Sequence, residues 1–563
     1  MRKNGLYLIA SLNGEAVSPD DVAAVFGPHL ALSGSEGCVL FGYERGDLVD
    51  PGVARSRIRL LHGQIDSPSV PPQEAANTIA ARLARAGPDV GREPGEWLFA
   101  EWDDQARKLT LAASDCLRDP CFVALEGQKV AVAPDLPSLA RIGWVEETLD
   151  PEALVRAMRP HRPEPRHLRK TLLRQVIRLL PGETMVVSAQ GIAIDSPVLT
   201  PPPPLRKIGF AEAIAELDTL LRQIMRRILA QAGDVAVMLS GGLDSSLVAA
   251  LAAEERLPGQ RVICLTSAAP PGSGIEDETA WAAMVANHLG LPLVRVAPDP
   301  EANIYRLPEA HLRGATGAML APLHFLYGAF EDAARAAGVS LLIDGGFGEL
   351  TISAYGQRRG GMLGHLRREA SAWLARQKGR SDDFFVRPSA AARALIPIEE
   401  QPRQTPRANP GACGYAVGFD KAALRTTDAI DPRLRRAYPF RDRALGTMMA
   451  AFPVEFLTWG GMERAPIRAL LAGRVPDQVV WRKTKQPFSP TYVQFLAAQA
   501  SSARALIPAQ RLAGADQWLD LDWLDQTLEA AASGAGFSRD VWSKVHSTAL
   551  FADFIRWWNT QRT

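Results

Sequence analysis

Hydrophobic residues follow a short, interrupted rhythm along the first third of the chain. Apolar runs alternate with turn signals at residues 6–12, 97–102, 109–113, 130–133 and 184–187. Short apolar runs bounded by turn residues favour β-strands. The first run meets Asn13 and Gly14, a pair that favours a tight hairpin turn, so we expect a first strand there and not a secretory signal. This part is therefore predicted to be a layered, strand-rich domain.

A helical rhythm replaces the short runs after residue 207. Apolar residues recur at spacings of three and four, the stripe of a helix packed on a core; they are Ile214, Leu217, Leu221, Ile224 and Ile228. Apolar strand candidates follow, separated by helical stretches, at residues 235–239, 262–266, 293–296 and 341–343. This alternation predicts an α/β fold with a parallel sheet, whose ligands bind beyond the carboxyl ends of the strands.

Prolines mark the boundary between the two rhythms. Residues 201–204 are all proline, which neither a helix nor a central strand accommodates. The predicted organisation is a first domain at 1–199, a linker at 200–206 and a second domain at 207–563. Residues 398–414 are rich in Pro, Arg and Gln without a period, and we predict a loop there that covers the site.

Composition restricts the partners of the chain. Lys plus Arg (63) nearly equals Asp plus Glu (62), so no overall field attracts nucleic acid or an anionic membrane. Five scattered cysteines without metal-binding spacing favour a reducing, cytoplasmic location without disulfides. No apolar stretch reaches the ~18 residues of a membrane span.

A strand, a glycine turn and a helix start follow one another at residues 235–249. The glycines let the backbone approach an anion, and serine hydroxyls lie at a helix N-terminus that carries partial positive charge. This corner is therefore predicted to bind phosphate. An aspartate beside an anion needs a cation between them, so Asp244 is predicted to be a Mg²⁺ ligand. The predicted nucleotide-binding residues are Leu239, Ser240, Gly241, Gly242, Asp244, Ser245 and Ser246.

This corner resembles the pyrophosphate-binding loop of the asparagine synthetase superfamily, and the resemblance extends over nearly the whole chain. It implies ATP and Mg²⁺ as ligands and a PP-loop ATP pyrophosphatase fold for the second domain. It also implies that Leu265 and Thr266, at the end of the next strand, contact the adenine. Asp277 and Glu278 belong to the same site, or they only stabilise the helix that begins there.

A second glycine-rich segment, 342–350, resembles the loop that supplies the superfamily's other acidic Mg²⁺ ligand. The resemblance implies that Gly345 contacts nucleotide and that Glu349 is the second metal ligand. Two positions depart from the pattern. Glu349 stands where aspartate is usual. In addition, Gly346 stands where asparagine synthetases carry glutamate and β-lactam synthetases carry tyrosine.

The C-terminal part resembles the superfamily segment that supplies a catalytic lysine. Arg464, Pro466, Arg468 and Arg482 match this segment, and Lys485 is the implied lysine. Its positive charge would stabilise the acyl-adenylate and the departing pyrophosphate. An exposed lysine in a basic run is the alternative interpretation.

Residues 95–103 and 113–121 resemble core strands of the superfamily's glutamine-hydrolysing, Ntn-type amidotransferase domain. That chemistry needs a cysteine nucleophile activated by the terminal amine. Asn4 stands at the corresponding position, and no cysteine precedes Cys38. The domain is therefore predicted to be degenerate, and Cys116 and Cys121 to be buried apolar residues.

The nucleophile is then expected to be an amine of the substrate, which favours the lasso peptide macrolactam synthetases within the superfamily. The predicted reaction is adenylation of an Asp or Glu side chain in a precursor peptide. Attack by the peptide's N-terminal amine then forms an isopeptide bond and releases AMP. A leader peptidase and a leader-binding protein are the expected partners, with no nucleic acid or membrane. Glu369 and His324 are candidate bases for the amine.

Other enzyme classes stay open at this point. An asparagine synthetase-like enzyme using ammonia and a β-lactam synthetase would share the loops. An RNA-modifying adenylating enzyme would need a basic surface. Arginines do cluster between residues 433 and 443, where they either complement phosphates or are solvated; they are Arg433, Arg435, Arg436, Arg441 and Arg443.

Overall fold

Two antiparallel sheets and one parallel sheet form the framework of the protein, seen in a computed structural model. The structure describes residues 6–18, 20–21, 31–35, 39–43, 48–50, 57–65, 74–86, 95–115, 117, 119–159, 169–195, 204–269, 277–299, 302–309, 312, 322–354, 384–395, 434–483 and 491–560.

The strands are β1 Tyr7–Ser11, β2 Ala31–Ser35, β3 Val39–Tyr43, β4 Leu48–Asp50, β5 Arg57–Ile65, β6 Gly95–Asp103, β7 Lys108–Ala113, β8 Cys121–Glu126, β9 Lys129–Ala133, β10 Val176–Leu179, β11 Thr184–Ser188, β12 Gly191–Asp195, β13 Val235–Met238, β14 Val262–Ser267, β15 Leu293–Val296, β16 Leu341–Ile343 and β17 Arg435–Ala437.

The α-helices are Ala75–Ala86, Leu136–Ala140, Pro151–Ala157, Phe210–Ala230, Leu243–Glu255, Thr279–His288, His324–Ala336, Ala390–Ala394, Arg443–Ala451, Ala465–Leu471, Asp477–Val480, Tyr492–Ala498, Ala500–Arg504, Ile507–Leu512, Leu521–Ala532 and Arg539–Thr560. Short 3₁₀ helices span Gly348–Leu350, Pro439–Arg441, Val454–Gly461 and Ala515–Gln517.

The first two sheets pack against each other through an apolar core. Their strand orders are β10-β8-β9-β1-β3-β2 and β12-β11-β7-β6-β5-β4. Side chains alternate between the two faces of β1, because successive residues of a strand point in opposite directions. Leu8 packs in the core between the sheets, whereas Tyr7 and Ile9 pack with the helices Leu136–Ala140 and Pro151–Ala157.

The same alternation covers the outer face of the second sheet. Leu98 and Trp102 of β6 lie in the core between the sheets, whereas Trp97 and Phe99 pack with the helix Ala75–Ala86. The order of layers is therefore helix, sheet, sheet, helix, and the predicted layered, strand-rich architecture is confirmed. The Asn13-Gly14 pair forms a turn with Gly14 at φ 86°. The predicted first strand is confirmed as β1, which pairs with β3 and β9.

The third sheet is parallel throughout, in the order β15-β14-β13-β16-β17. Val235 and Val237 of β13 pack with the helices Phe210–Ala230 and Leu243–Glu255. The opposite face of β13 joins the apolar cluster that also contains the C-terminal helices. The predicted mixed α/β fold with a parallel sheet is therefore confirmed.

Contacts connect the layered sheets to the parallel sheet. Arg441 donates from Nη2 to the carbonyl oxygen of Leu117 at 2.8 Å. Trp558, in the last helix, donates from Nε1 to the carbonyl oxygen of Glu147 at 3.0 Å. The proposed linker at 200–206 stays a prediction; within it, Arg206 donates its backbone N–H to Ala451.

The arginine cluster does not form a solvated basic surface among the described residues. Arg436 is buried and pairs with Glu331 at 2.7 Å, and Arg443 pairs with Asp115. Arg436 and Arg443 pair with acids, and Arg441 donates to a carbonyl, so the solvated interpretation is wrong for these three. Arg435 is exposed. Arg433 lies outside the described residues, as do residues 398–414. No helix in the described part of the chain is long and apolar enough to cross a bilayer.

Candidate functional site

The order of the parallel strands reverses between β13 and β16. The chain runs outward from β13 to β14 and β15, then returns to place β16 and β17 on the other side. In open parallel sheets the crevice at such a reversal, beyond the carboxyl ends of the strands, is where ligands bind. The two predicted glycine-rich loops directly follow β13 and β16.

The first loop joins β13 to the helix Leu243–Glu255, with Gly242 as the residue before its first turn. Ser245 organises the loop, because its Oγ accepts from the backbone N–H of Ser240 at 3.1 Å and donates to the carbonyl of Gly242 at 3.2 Å. Leu239 anchors the start of the loop by donating its N–H to Leu265 at 2.8 Å. The helix N-terminus thus faces the crevice with its N–H groups and partial positive charge.

Ser246 and Thr266 are buried beside this loop, and their hydroxyls have no hydrogen-bond partner in the described part of the chain. A buried hydroxyl without a partner costs about 1–3 kcal/mol. Both are predicted nucleotide-site residues; Ser246 lies in the helix Leu243–Glu255 and Thr266 lies in β14. Orphaned hydroxyls at this position fit a site that receives a polar ligand.

Gly241 can only be glycine in this arrangement. Its φ is +69°, and a Cβ there would lie 2.5 Å from Cβ of Trp281 and 2.7 Å from that residue's carbonyl carbon. The first turn of the helix Thr279–His288 therefore presses directly on the loop. This contact fixes the position of the loop relative to the helix Thr279–His288.

The second loop packs on the first with almost no space between them. A Cβ on Gly345 would lie 3.0 Å from the backbone nitrogen of Ser245, and one on Gly348 would lie 2.1 Å from Oδ1 of Asp244. Asp344 stabilises the turn by accepting the N–H of Gly346 at 2.8 Å. The structure therefore brings both predicted loops together in one corner.

Asp244 is held by two groups that were not predicted to contact it. Ser353 donates its hydroxyl to Oδ1, and Arg464 donates from Nη2 to Oδ2 at 2.6 Å. Arg464 also donates from Nε to the carbonyl of Ser353 at 3.0 Å. Ser353 and Arg464 therefore fix the orientation of the predicted metal carboxylate.

Glu349 lies beside this corner on the 3₁₀ helix Gly348–Leu350, and its side chain is exposed. The described residues contain no group of three or more His, Cys, Asp or Glu that could enclose a metal ion. Mg²⁺ commonly uses only one or two carboxylates, with phosphate oxygens and water as its other ligands. A pair of carboxylates, Asp244 and Glu349, beside the predicted phosphate-binding corner fits that chemistry.

Asp277 and Glu278 make bonds within the protein. Burial acts to raise the pKa of Asp277, but hydrogen bonds from Thr279 and the N–H of Ala269 lower it overall. Glu278 pairs with Arg482, whose guanidinium also lies 4.3 Å from the ring centroid of Trp281. Arg482 therefore contacts both Glu278 and Trp281, the residue that packs against Gly241.

Other predicted positions lie apart from this corner or outside the described residues. Lys485 and Glu369 are outside them, as are Cys38, Cys116 and Cys413. His324 is buried and its ring contacts Phe325. Cys121 and Cys264 are buried and free, as expected, and burial raises the pKa of each thiol to about 12.

Ser353 and Trp281 carried no sequence signal for a place at the site. Arg464 had one, since it matches the C-terminal segment of the superfamily, but that match implied no contact with Asp244. The ring of Tyr438 lies 3.4 Å from where a Cβ on Gly346 would stand. An aromatic side chain that directly follows β17 thus occupies the space next to the substituted position.

Comparison with protein families decides the relationship. A family model described as asparagine synthase matches residues 216–407 and 433–557, more than half of the chain. This chain belongs to the asparagine synthase family. Both glycine-rich loops of this asparagine synthase family protein, and Arg464, lie within the matched residues.

Two curated fungal proteins are similar to this asparagine synthase family member over part of its length. Amidase chyE of Penicillium rubens is 28% identical over 291 residues, which cover 48% of this chain and 41% of that protein. Amidase chry2 of Gibberella zeae is 26% identical over 273 residues, which cover 45% of this chain and 38% of that protein. The match thus spans less than half of either relative.

Two solved structures align at low similarity. The glutamine phosphoribosylpyrophosphate amidotransferase of B. subtilis, complexed with ADP and GMP, aligns at 11% identity and a TM-score of 0.21, covering 61% of this chain and 70% of that one. A structure titled as the allosteric regulatory enzyme of purine biosynthesis aligns at 12% identity and a TM-score of 0.21, covering 61% and 69%. Neither superposition supports a structural conclusion.

Proposed function

We propose that this asparagine synthase family protein is an ATP-dependent carbon–nitrogen ligase that closes an isopeptide ring in a lasso peptide precursor. The observation that carries the ligase proposal is the corner where both glycine-rich loops meet at the reversal of the parallel sheet. It combines a helix N-terminus, serine hydroxyls and a fixed carboxylate, which together suit a magnesium nucleotide. The proposal includes a PP-loop fold for the second half of the chain.

In this proposal the chain's own groups bind and orient the nucleotide. The N–H groups at the start of the helix Leu243–Glu255 and the hydroxyl of Ser240 donate to phosphate oxygens. Gly241 and Gly345 let the backbones of the two loops lie close enough to do so. Asp244 and Glu349 would hold magnesium, which supplies positive charge to the phosphate oxygens when bound.

The chemistry consists of two displacements. A side-chain carboxylate of the peptide attacks the α-phosphorus, the bond between the α-phosphorus and its bridging oxygen breaks, and pyrophosphate leaves. The peptide's N-terminal amine then attacks the acyl carbon, loses a proton, and AMP leaves with the electron pair of the acyl–oxygen bond. Lys485, as the predicted lysine, would stabilise negative charge in both steps.

The choice of a peptide amine as nucleophile depends on the N-terminal half. The helix–sheet–sheet–helix layers suit an Ntn-type amidotransferase domain, but Asn4 stands at the position of the nucleophile and no cysteine precedes Cys38. Without glutamine hydrolysis, an amine already present on the substrate is the simplest nucleophile. A leader peptidase would expose that amine, and a leader-binding protein would deliver the peptide.

Mass spectrometry of candidate precursor peptides tests the proposal. The peptides are incubated with the protein, its leader peptidase, leader-binding protein and magnesium ATP. We expect a product lighter by one water than the leaderless peptide, with AMP released in equal amount. The variant Asp244→Asn should lose this product. Asp234→Asn, which changes a partly exposed aspartate paired with Arg261, should keep it.

Two results would contradict the proposal. Release of AMP with aspartate and ammonia alone, without any peptide, would identify an asparagine synthetase-like enzyme instead. A wild-type rate of product formation in Asp244→Asn would show that Asp244 is not a magnesium ligand. That result would also contradict the proposed nucleotide site.

A further inference from the structure

Backbone strain concentrates at the corner formed by the two loops. Three non-glycine residues among those described have a positive φ, namely Arg107, Phe347 and Arg464. Phe347 lies in the second loop, and Arg464 contacts Asp244. A left-handed conformation costs a non-glycine residue about 1–2 kcal/mol, and it persists where the surrounding structure imposes it.

The left-handed backbone of Arg464 directs its side chain into the site. Arg464 has φ 59° and ψ 39° and immediately precedes the helix Ala465–Leu471. Its Nε is bonded to the carbonyl of Ser353 at 3.0 Å and its Nη2 to Asp244 at 2.6 Å. The guanidinium is thus anchored at one nitrogen, while another contacts the carboxylate expected to hold magnesium.

This contact places a positive group where charge changes on nucleotide binding. The side chains of Arg464 and Asp244 are only 14% and 18% exposed, so their charges are poorly screened. Without magnesium, the guanidinium neutralises the carboxylate. With magnesium nucleotide, phosphate oxygens lie beside the same carboxylate and offer the acceptor geometry that a guanidinium matches.

We propose that Arg464 is a nucleotide-binding residue that transfers its Nη2 hydrogen bond from Asp244 to a phosphate oxygen when magnesium nucleotide binds. Its Nε stays bonded to the carbonyl of Ser353. The inference depends on the nucleotide site of the proposed function and adds a phosphate-contacting residue to it.

A role for Arg464 that is limited to neutralising the charge of Asp244 predicts the opposite sign. If the guanidinium only neutralised Asp244, it would compete with magnesium for that carboxylate. Its removal would then leave the affinity for magnesium nucleotide unchanged or increase it. If Arg464 contacts phosphate, its removal weakens binding.

Calorimetric titration with magnesium and α,β-methylene-ATP, which lacks the bond broken in the reaction, distinguishes these cases without any peptide. Arg464→Asn removes the guanidinium but keeps a residue type that tolerates the left-handed backbone. One charge-assisted hydrogen bond corresponds to a loss of about 10- to 100-fold in affinity. Arg464→Lys, which keeps the charge but not the planar group, should lose less.

Arg474→Asn is the matched control. Arg474 is 15% exposed and pairs with Asp218 at 2.6 Å and Glu254 at 3.2 Å. It should keep the wild-type affinity. If Arg464→Asn lowers the melting temperature more than this control does, Arg464→Lys decides: weaker binding supports the inference, and wild-type affinity overturns it.

The outcomes separate the inference from the proposed function. Wild-type protein that binds the analogue, with Arg464→Asn binding it equally well or more tightly, overturns the inference alone. Wild-type protein that binds no magnesium nucleotide overturns the proposed function and the inference together.

Discussion

The tight contact at Gly241 gives the clearest structural prediction. In Gly241→Ala the new Cβ would lie 2.5 Å from Cβ of Trp281, 2.7 Å from its carbonyl carbon and 2.8 Å from the nitrogen of Ala282. Two of these atoms belong to the backbone of a helix, so they cannot rotate away. The left-handed φ of +69° adds a conformational cost of about 1–2 kcal/mol. Overpacking adds about 1–3 kcal/mol, for a total destabilisation of about 2–5 kcal/mol.

Gly259→Ala isolates the contribution of the clash. Gly259 also has a positive φ, +79°, but a Cβ there would meet nothing within 4 Å. This variant should lose only the conformational part, about 1–2 kcal/mol. The assay is urea unfolding followed by circular dichroism, with the free energies of unfolding compared for the two variants. If Gly241→Ala destabilises the protein no more than Gly259→Ala does, the packing of Trp281 on the loop is wrong.

Three further predictions concern the site and the core. Gly348→Ala would place its Cβ 2.1 Å from Oδ1 of Asp244, so it should weaken magnesium nucleotide binding by titration, unlike Gly143→Ala, whose Cβ meets nothing within 4 Å. Glu331→Ala leaves the buried Arg436 without its carboxylate and should cost about 3–5 kcal/mol in urea unfolding; a cost below that of Gly259→Ala would contradict this. His546 is buried, and burial lowers its pKa to about 4. The unfolded chain therefore takes up this proton first as pH falls, so the free energy of unfolding should decrease from about pH 6.5 towards pH 4, by at most ~1.4 kcal/mol per pH unit. His546→Asn should reduce the slope of the free energy of unfolding against pH by at most ~1.4 kcal/mol per pH unit. An unchanged slope would refute the lowered pKa of His546.

The hydrogen bonds of His546 support that protonation state. Its Nε2 lies 2.8 Å from the carbonyl oxygen of Ile304, which can only accept, so Nε2 carries the proton. Its Nδ1 lies 2.9 Å from the hydroxyl of Tyr492 and accepts from it. A second proton on the ring would oppose this hydroxyl bond, which agrees with the lowered pKa.

Continuous apolar runs made most of the parallel sheet predictable. The strands β13, β14 and β16 are buried throughout, so hydrophobic residues dominate them. The strand β17 escaped prediction because its three residues, Arg435–Ala437, are mostly charged. It is a strand because Arg436 has a buried acidic partner far away in the sequence, which a local pattern cannot reveal.

The two loops were predictable because glycine, serine and aspartate at a strand–helix junction have a local physical meaning. Their contact was foreseeable only as a consequence of parallel strands ending at one edge. The part played by Arg464 was not foreseeable, since its left-handed backbone and its bond to Asp244 depend on packing between segments distant in sequence. Ser353 escaped for the same reason.

The position at which ATP is cleaved tests the central claim most directly. Wild-type protein is incubated with magnesium ATP, the precursor peptide and its processing partners, and the nucleotide products are separated and quantified. We expect AMP and pyrophosphate in equal amounts, formed only when a peptide carboxylate is present and lost in Asp244→Asn. ADP and inorganic phosphate as the products would contradict it.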